Sequence, residues 1–253
     1  MAPGTRRPTL RLERSLLRDG VTHLACADEV GRGALCGPVT IGMVVITLET
    51  RSAPVGVKDS KLLTPALREL LAPKVRRWAT SWAVGHASAE EIDTHGIIAA
   101  LRMAGHRAMA GLSVTPDLVL LDGNHDYLSR PDQELLFDTV PDVLPEVPRV
   151  VTAVKGDMRC AAVAAASILA KTERDAMMVQ FAEQYPEYGW RENKGYSAPE
   201  HVDALRRLGP SPLHRTSWSL PGVDRSALVD VFATSAVQGQ LGSAMSLPAE
   251  ENA

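Results

Sequence analysis

The chain has 253 residues, of which 45% are hydrophobic and 23% charged, and a formal net charge of −3. This is the make-up of a globular protein of one or two domains, and it excludes a generic polyanion binder, so any nucleic-acid contact rests on local positive charge or bound cations. No apolar run reaches the ~18 residues of a bilayer span, and Cys26, Cys36 and Cys160, an odd set without Cys-x-x-Cys spacing, argue against a zinc site or a disulfide framework and for buried, reduced thiols in a cytoplasmic protein.

Residues 1–20 carry five arginines against Glu13 and Asp19. They read as a basic arm with one short helix over 10–17; no apolar stretch follows, so it is not a secretory signal, and such an arm is usually solvated. Residues 22–28 are strand-like and end in acids, after which Gly31, Gly33, Gly37 and Pro38 break the chain. The β-branched run at 39–48 predicts a second strand and residues 81–88 a third. Helical spacing covers 90–111, with Ile92, Ile97, Leu101 and Met109 among its apolar positions. Short apolar runs at 118–122 and 149–154 have the look of central strands covered on both faces, with a helix expected between them at 133–139. A long alanine-rich helix follows at 159–184 and one more at 199–208. Beyond 223 large hydrophobic residues are sparse, and no internal repeat is evident. Strands in hairpin order, then alternating helix and strand, predict a mixed α/β sheet flanked by helices, with a helical carboxy-terminal part.

Three predicted strands end in acids: Asp28 with Glu29, Asp122, and Asp157. Ligand sites in open α/β sheets lie beyond the carboxyl ends of the strands, so neighbouring strands would bring these carboxylates together. Like charges at short range raise one another's pKa, and divalent cations remove that penalty. An all-oxygen set without His or Cys points to Mg²⁺ or Mn²⁺ rather than zinc, and two such ions can hold the attacking water and the leaving oxygen of a phosphodiester. A lone Asp after a strand is most often a turn residue or a helix cap; spacing alone leaves metal site and coincidence evenly open.

The segment Asp28-Glu29-Val30-Gly31-Arg32-Gly33-Ala34-Leu35-Cys36-Gly37-Pro38-Val39 resembles the opening signature of the type 2 ribonucleases H. In the same order follow Lys58-Asp59-Ser60-Lys61-Leu62, Asp122-Gly123-Asn124, Lys155-Gly156-Asp157, Ala164-Ala165-Ala166-Ser167-Ile168-Leu169-Ala170-Lys171, Arg174-Asp175, Asn193-Lys194-Gly195-Tyr196, His201 and His214-Arg215. One motif can arise by chance; the ordered set, spanning about 22–220, is specific.

The resemblance implies the ribonuclease H-like fold over 21–222, including a helical segment from about 185, with a basic arm before it and a tail at 223–253. It implies Asp28, Glu29, Asp122 and Asp157 as catalytic, metal-binding acids for two Mn²⁺ or Mg²⁺ ions, and hydrolysis of the RNA strand of RNA/DNA hybrids to 5′-phosphate and 3′-hydroxyl ends. Incision 5′ of single ribonucleotides in duplex DNA is implied too, with a place in ribonucleotide excision repair and primer removal. Substrate contacts are expected from the Gly31-Arg32-Gly33 loop, whose glycines let backbone approach a sugar, and from Tyr196 beside the 2′-hydroxyl that marks RNA. Asn124, Lys61, Lys194, His214 and Arg215 are further candidates, the basic ones holding phosphates without reading sequence; His214 alternatively stabilises the leaving group. Lys171 and Arg174 share a helix face and are expected to pair with a nearby acid.

The sequence departs from the family in Leu62, where a second lysine is common, and in Trp218, where another aromatic often follows the His-Arg pair. Residues 238–241 are faintly similar to a sliding-clamp peptide but lack its aromatic. Ribonuclease HIII, a close relative, carries an amino-terminal substrate-binding domain for which twenty residues leave no room. A junction resolvase would not need the Gly-Arg-Gly loop with Tyr196, and a non-catalytic hybrid-binding module would not need four acids. Nothing in the sequence demands more than a monomer.

Overall fold

A computed structural model describes residues 7–130, 140–141 and 143–223. The helix expected at 133–139 and the segment from 224 onward lie outside the described residues.

Five strands form one sheet in the order β3-β2-β1-β4-β5: β1 (Leu24–Val30), β2 (Val39–Ile46), β3 (Ser81–Ala87), β4 (Leu118–Asp122) and β5 (Arg149–Ala153). β1 runs antiparallel to β2, and β2 to β3, while β4 and β5 lie parallel to β1. The carboxyl ends of β1, β4 and β5 therefore share one edge of the sheet, as the acid-ended runs predict.

Strand side chains alternate between faces, and each face has its own core. Leu24, Cys26, Val44, Leu118 and Leu120 pack under α1 (Arg11–Arg18), α2 (Pro65–Trp78) and the long α6 (Ala161–Gln184). Ala25, Ala27, Ile41, Met43, Val119 and Leu121 face α4 (Ile97–Ala110). The run from Ala161 to Ala166 is wholly buried; its small side chains let α6 lie close to the sheet beneath the acids. A third cluster, with Cys36, Met178, Tyr188, Trp190 and Leu205, joins α6 to α7 (Trp190–Asn193) and α8 (Pro199–Leu208).

Four parts of the chain differ from the sequence reading. The helix expected over 90–111 is two: α3 (Ala89–His95), opened by a capping box between Ser88 and Glu91, and α4. Gly96 sits between them at φ 81, a left-handed conformation that ends one helix and starts the next. α2 was not expected, because Pro73 lies in its interior and proline normally breaks a helix. Its start is nonetheless marked, by Thr64 accepting from the Leu67 amide at 3.4 Å with Pro65 in the first turn. The residues before α6 form a separate short turn, α5 (Gly156–Arg159). Finally, α1 is a docked helix: Leu10 and Leu17 are buried, and Glu13 accepts from the Ala162 amide at 2.9 Å.

Candidate active site

Asp28 lies on the α6-facing register of β1, two residues beyond Cys26, and Asp122 falls on the same face at the end of β4, two residues beyond Leu120. Asp157 enters from α5, just after β5. One oxygen from each of these three lies within 4.8 Å of the others. Glu29, one residue beyond Asp28, is turned toward Tyr127, accepting from its hydroxyl at 3.2 Å, and lies 3.8 Å from Arg32; it stays near enough to Asp28 and Asp122 to take part in their mutual repulsion.

Backbone amides fix two of the aspartates. Asp122 accepts from the Gly156 amide at 2.6 Å and the Asp157 amide at 3.4 Å, so β4 and α5 are tied through one carboxylate. Asp28 accepts from the Glu29 amide at 2.8 Å. Lys155 precedes this turn at φ 54, a region costly for a residue with a Cβ, which packing around α5 must hold.

The cluster is electrostatically unfavourable as a bare site. Two unit charges 4 Å apart repel by about 4 kcal/mol at an effective dielectric of 20. Burial pushes the Asp28 carboxyl well above the carboxylate range, with Asp122, Glu29 and Asp157 adding to it. Asp157 is raised by burial and then by Asp122 and Asp59, and Glu29 by burial, partly offset by the Tyr127 hydrogen bond. Lys61 stands 3.6 Å from Asp157. Burial works to lower its pKa, but Asp28, Asp59, Asp157 and Asp122 outweigh that and raise it. Several buried carboxylates against one ammonium leave excess negative charge, and the donors are all oxygen. That set fits a hard divalent cation, and the three aspartates can coordinate metal.

Lys61 reaches this point through a built loop. The Asp59 carboxylate accepts from the Lys61 amide at 2.9 Å, and Ser167 of α6 donates its hydroxyl to Ser60 at 2.6 Å. Across the site, Gly31 is buried at φ 85, and a Cβ there would collide with the Arg174 guanidinium; only glycine fits. Arg32 and Gly33 are exposed, as is Asn124, on the loop after β4. Tyr196 is 36% exposed, and its ring has the Lys171 ammonium at 5.5 Å and the Arg174 guanidinium at 5.4 Å. Lys194 occupies a left-handed turn at φ 52, its ammonium donating to the Arg191 carbonyl.

Two expectations about phosphate contact are corrected. His214 and Arg215 are interior, at 1% and 0% exposure. Arg215 donates to the carbonyls of Gly31 at 2.6 Å, Arg32 at 2.8 Å and Gly37 at 3.1 Å, so its donors hold the loop from below and are not free for a phosphate. The Lys171–Asp175 pair exists at 2.7 Å, but Arg174 pairs with no acid among the described residues: it donates to the carbonyls of Pro38 at 2.8 Å, Lys194 at 3.0 Å and Cys36 at 3.2 Å. Asp175 pairs instead with Arg68 at 2.8 Å. Tyr127, Asp59 and Ser167 were missed as site-shaping residues; Asp59 and Ser167 lie inside the quoted motifs, and Tyr127 lies in none. The three cysteines are free and buried, as expected. No described helix is long and apolar enough to cross a membrane.

The family model for Ribonuclease HII matches residues 25–220. Ribonuclease HII of Streptomyces avermitilis is 44% identical over 243 residues, covering 93% of this chain and 97% of that protein. The Streptomyces coelicolor protein is 47% identical, with 84% of each chain covered. Among solved structures, ribonuclease H2 from Pyrococcus horikoshii OT3 superposes with a TM-score of 0.60 at 26% identity, covering 84% of this chain and 99% of that one. The ribonuclease HII in the PCNA:RNase HII complex from Archaeoglobus fulgidus gives 0.58 at 26% identity, covering 77% and 93%. Fold, acid placement and relatives agree: the chain belongs to the ribonuclease HII family, endoribonucleases that cut the RNA strand of RNA/DNA hybrids.

Proposed function

We propose that Asp28, Asp122 and Asp157, with Glu29 beside them, hold two hard divalent cations, Mg²⁺ or Mn²⁺, and form the catalytic centre of an endonuclease. It incises on the 5′ side of a ribonucleotide in a duplex and leaves 5′-phosphate and 3′-hydroxyl ends. The observation that carries this is the meeting of three aspartate oxygens within 4.8 Å at the sheet edge, where burial and mutual repulsion raise Asp28 and Asp157. When bound, such cations supply Lewis-acid stabilisation to the attacking water and the leaving oxygen.

The protein's own groups do the rest. Gly31, Arg32 and Gly33 present backbone to the ribose, and Tyr196 stacks beside the 2′-hydroxyl-bearing sugar, which is where RNA differs from DNA. Lys61, Lys194 and Asn124 contact the backbone and set register. His214 and Arg215 serve this reading by shaping the pocket from within. The catalytic unit is residues 21–222 with α1 docked on it, acting as a monomer in the cytoplasm. Contact with a sliding clamp is supported by the Archaeoglobus fulgidus relative, solved with PCNA.

The test is a DNA duplex carrying one ribonucleotide. Incision on its 5′ side in Mg²⁺ or Mn²⁺, and none in EDTA, is expected. Cleavage of an all-DNA branched substrate in its place would overturn the reading in favour of a resolvase.

A further inference from the structure

His201 and His214 are buried among Tyr188, Trp190 and Cys36, below Tyr196. Their hydrogen bonds determine where every ring proton sits. The Ser211 backbone amide, which can only donate, lies 2.9 Å from His214 Nδ1. That nitrogen is therefore an acceptor, and the proton of a neutral ring is on Nε2. His214 Nε2 lies 3.0 Å from His201 Nε2, which also receives the Trp190 indole N–H at 3.2 Å. His201 Nε2 thus carries no proton; its proton is on Nδ1, which donates to the Tyr196 carbonyl at 2.9 Å.

The result is a one-way chain from Ser211 through His214 and His201 to the backbone of Tyr196. Burial keeps both rings neutral, His214 pushed down to about 4. Cys36, His201 and His214 also lie within 4.8 Å of one another, the spacing of a soft-metal site. A metal on His214 Nε2 would move the proton to Nδ1, against the Ser211 amide, and burial pushes the Cys36 thiol up to about 12. The hydrogen bonds favour the relay over a metal.

The adjacent Arg215 does the matching job on the other wall. Its guanidinium holds the carbonyls of Gly31, Arg32 and Gly37. The two walls are further joined by the Leu35 amide donating to the Gly195 carbonyl at 2.8 Å. One buried dipeptide therefore sets the spacing between the Gly31-Arg32-Gly33 loop and Tyr196.

We infer that His214, acting through His201, is a positioning residue that fixes Tyr196 for recognition of an isolated ribonucleotide, while Arg215 fixes the facing loop. This rests on the reading of Tyr196 given above. An isolated ribonucleotide offers a single 2′-hydroxyl, so its cleavage depends on Tyr196 being placed correctly. A long hybrid offers many registers and tolerates misplacement.

Amide substitutions test the relay, because asparagine places its nitrogen where histidine has Nδ1 and glutamine where it has Nε2. At position 201 the donor to Tyr196 is Nδ1, so His201→Asn should keep the preference for isolated ribonucleotides and His201→Gln should lose it. At 214 the donor is Nε2, so His214→Gln should keep it and His214→Asn should lose it. The readout is kcat/KM on a single-ribonucleotide duplex divided by kcat/KM on a long hybrid, with thermal unfolding of each variant measured alongside. The losing variants should drop about tenfold in that ratio, the worth of one buried hydrogen bond. Equal loss on both substrates, or the same amide preferred at both positions, would overturn the inference. Tyr196→Ala is run in parallel. A selective loss there without the crossed amide pattern overturns the relay alone; an unselective loss overturns the reading of Tyr196 and the relay with it.

Discussion

Asp28 carries the largest electrostatic strain at the site. Its carboxyl is buried, and that burial comes first among the causes that push its pKa up, followed by Asp122, Glu29 and Asp157. A carboxyl whose folded pKa lies above its unfolded value binds more protons when folded, so without metal it lowers stability progressively as pH rises above the ordinary carboxylate range. Asp28→Asn should therefore raise the melting temperature of the metal-free protein, by a margin that grows between pH 4 and pH 7. Thermal unfolding in EDTA across that range checks it, and a constant margin would show that Asp28 is not strained by its neighbours. Asp122 has a different job, accepting from the Gly156 and Asp157 amides while one of its oxygens lies within 4.8 Å of those of Asp28 and Asp157. Asp122→Asn should reduce cleavage by on the order of 10³-fold and leave hybrid binding, followed by fluorescence anisotropy, close to wild type. Full activity would remove Asp122 from the metal site.

Among the elements, α6 does most of the positioning. Its alanine run packs on β1 and β2, Ser167 anchors the loop that delivers Lys61, and Arg174 reaches the far wall. Its first turn has no side-chain cap from its own N-cap residue, Cys160; the cap comes from Glu13 of α1, whose second oxygen is buried with no hydrogen-bond partner among the described residues. Burial raises the Glu13 pKa, so the site needs an acceptor more than a charge. Glu13→Gln should unfold near the wild-type denaturant midpoint, and Glu13→Leu should lose about 1–2 kcal/mol; equal midpoints would show that the cap contributes nothing. Elements were legible in the sequence where a single local signal decided them. The period and β-branched content of β2, the short apolar runs of β4 and β5, and the proline and spacing of α8 are of this kind. α2 was hidden because Pro73 contradicts the Thr64-Pro65 start, and the break at Gly96 was hidden because apolar spacing continues across it. At the site, the acids could be read because strand ends and motif order mark them. The burial of His214 and Arg215 could not, because it depends on packing between the third cluster and the loop after β1, which no local pattern reports.

For the whole molecule, a sheet with three parallel carboxyl ends on one edge turns residues far apart in sequence into one charged point. A net charge of −3 is compatible with binding a polyanion once cations neutralise that point and Lys61, Lys194 and Arg32 meet the backbone around it. A metal held by the three aspartates would link the fold to the site: a ligand that binds only the folded state stabilises it, by about 2.7 kcal/mol at a hundred times its Kd. Mn²⁺ should raise the melting temperature of the wild type in a concentration-dependent way and have little effect on Asp28→Asn. An equal rise in both would place the binding elsewhere. The most direct measurement is anomalous diffraction from a crystal of the protein holding Mn²⁺ and a hybrid with a non-cleavable linkage at the ribonucleotide. Two manganese peaks among Asp28, Glu29, Asp122 and Asp157, with the ribose between the Gly31-Arg32-Gly33 loop and Tyr196, are expected. Peaks absent from that cluster, or a ribose lying away from that loop, would contradict the account.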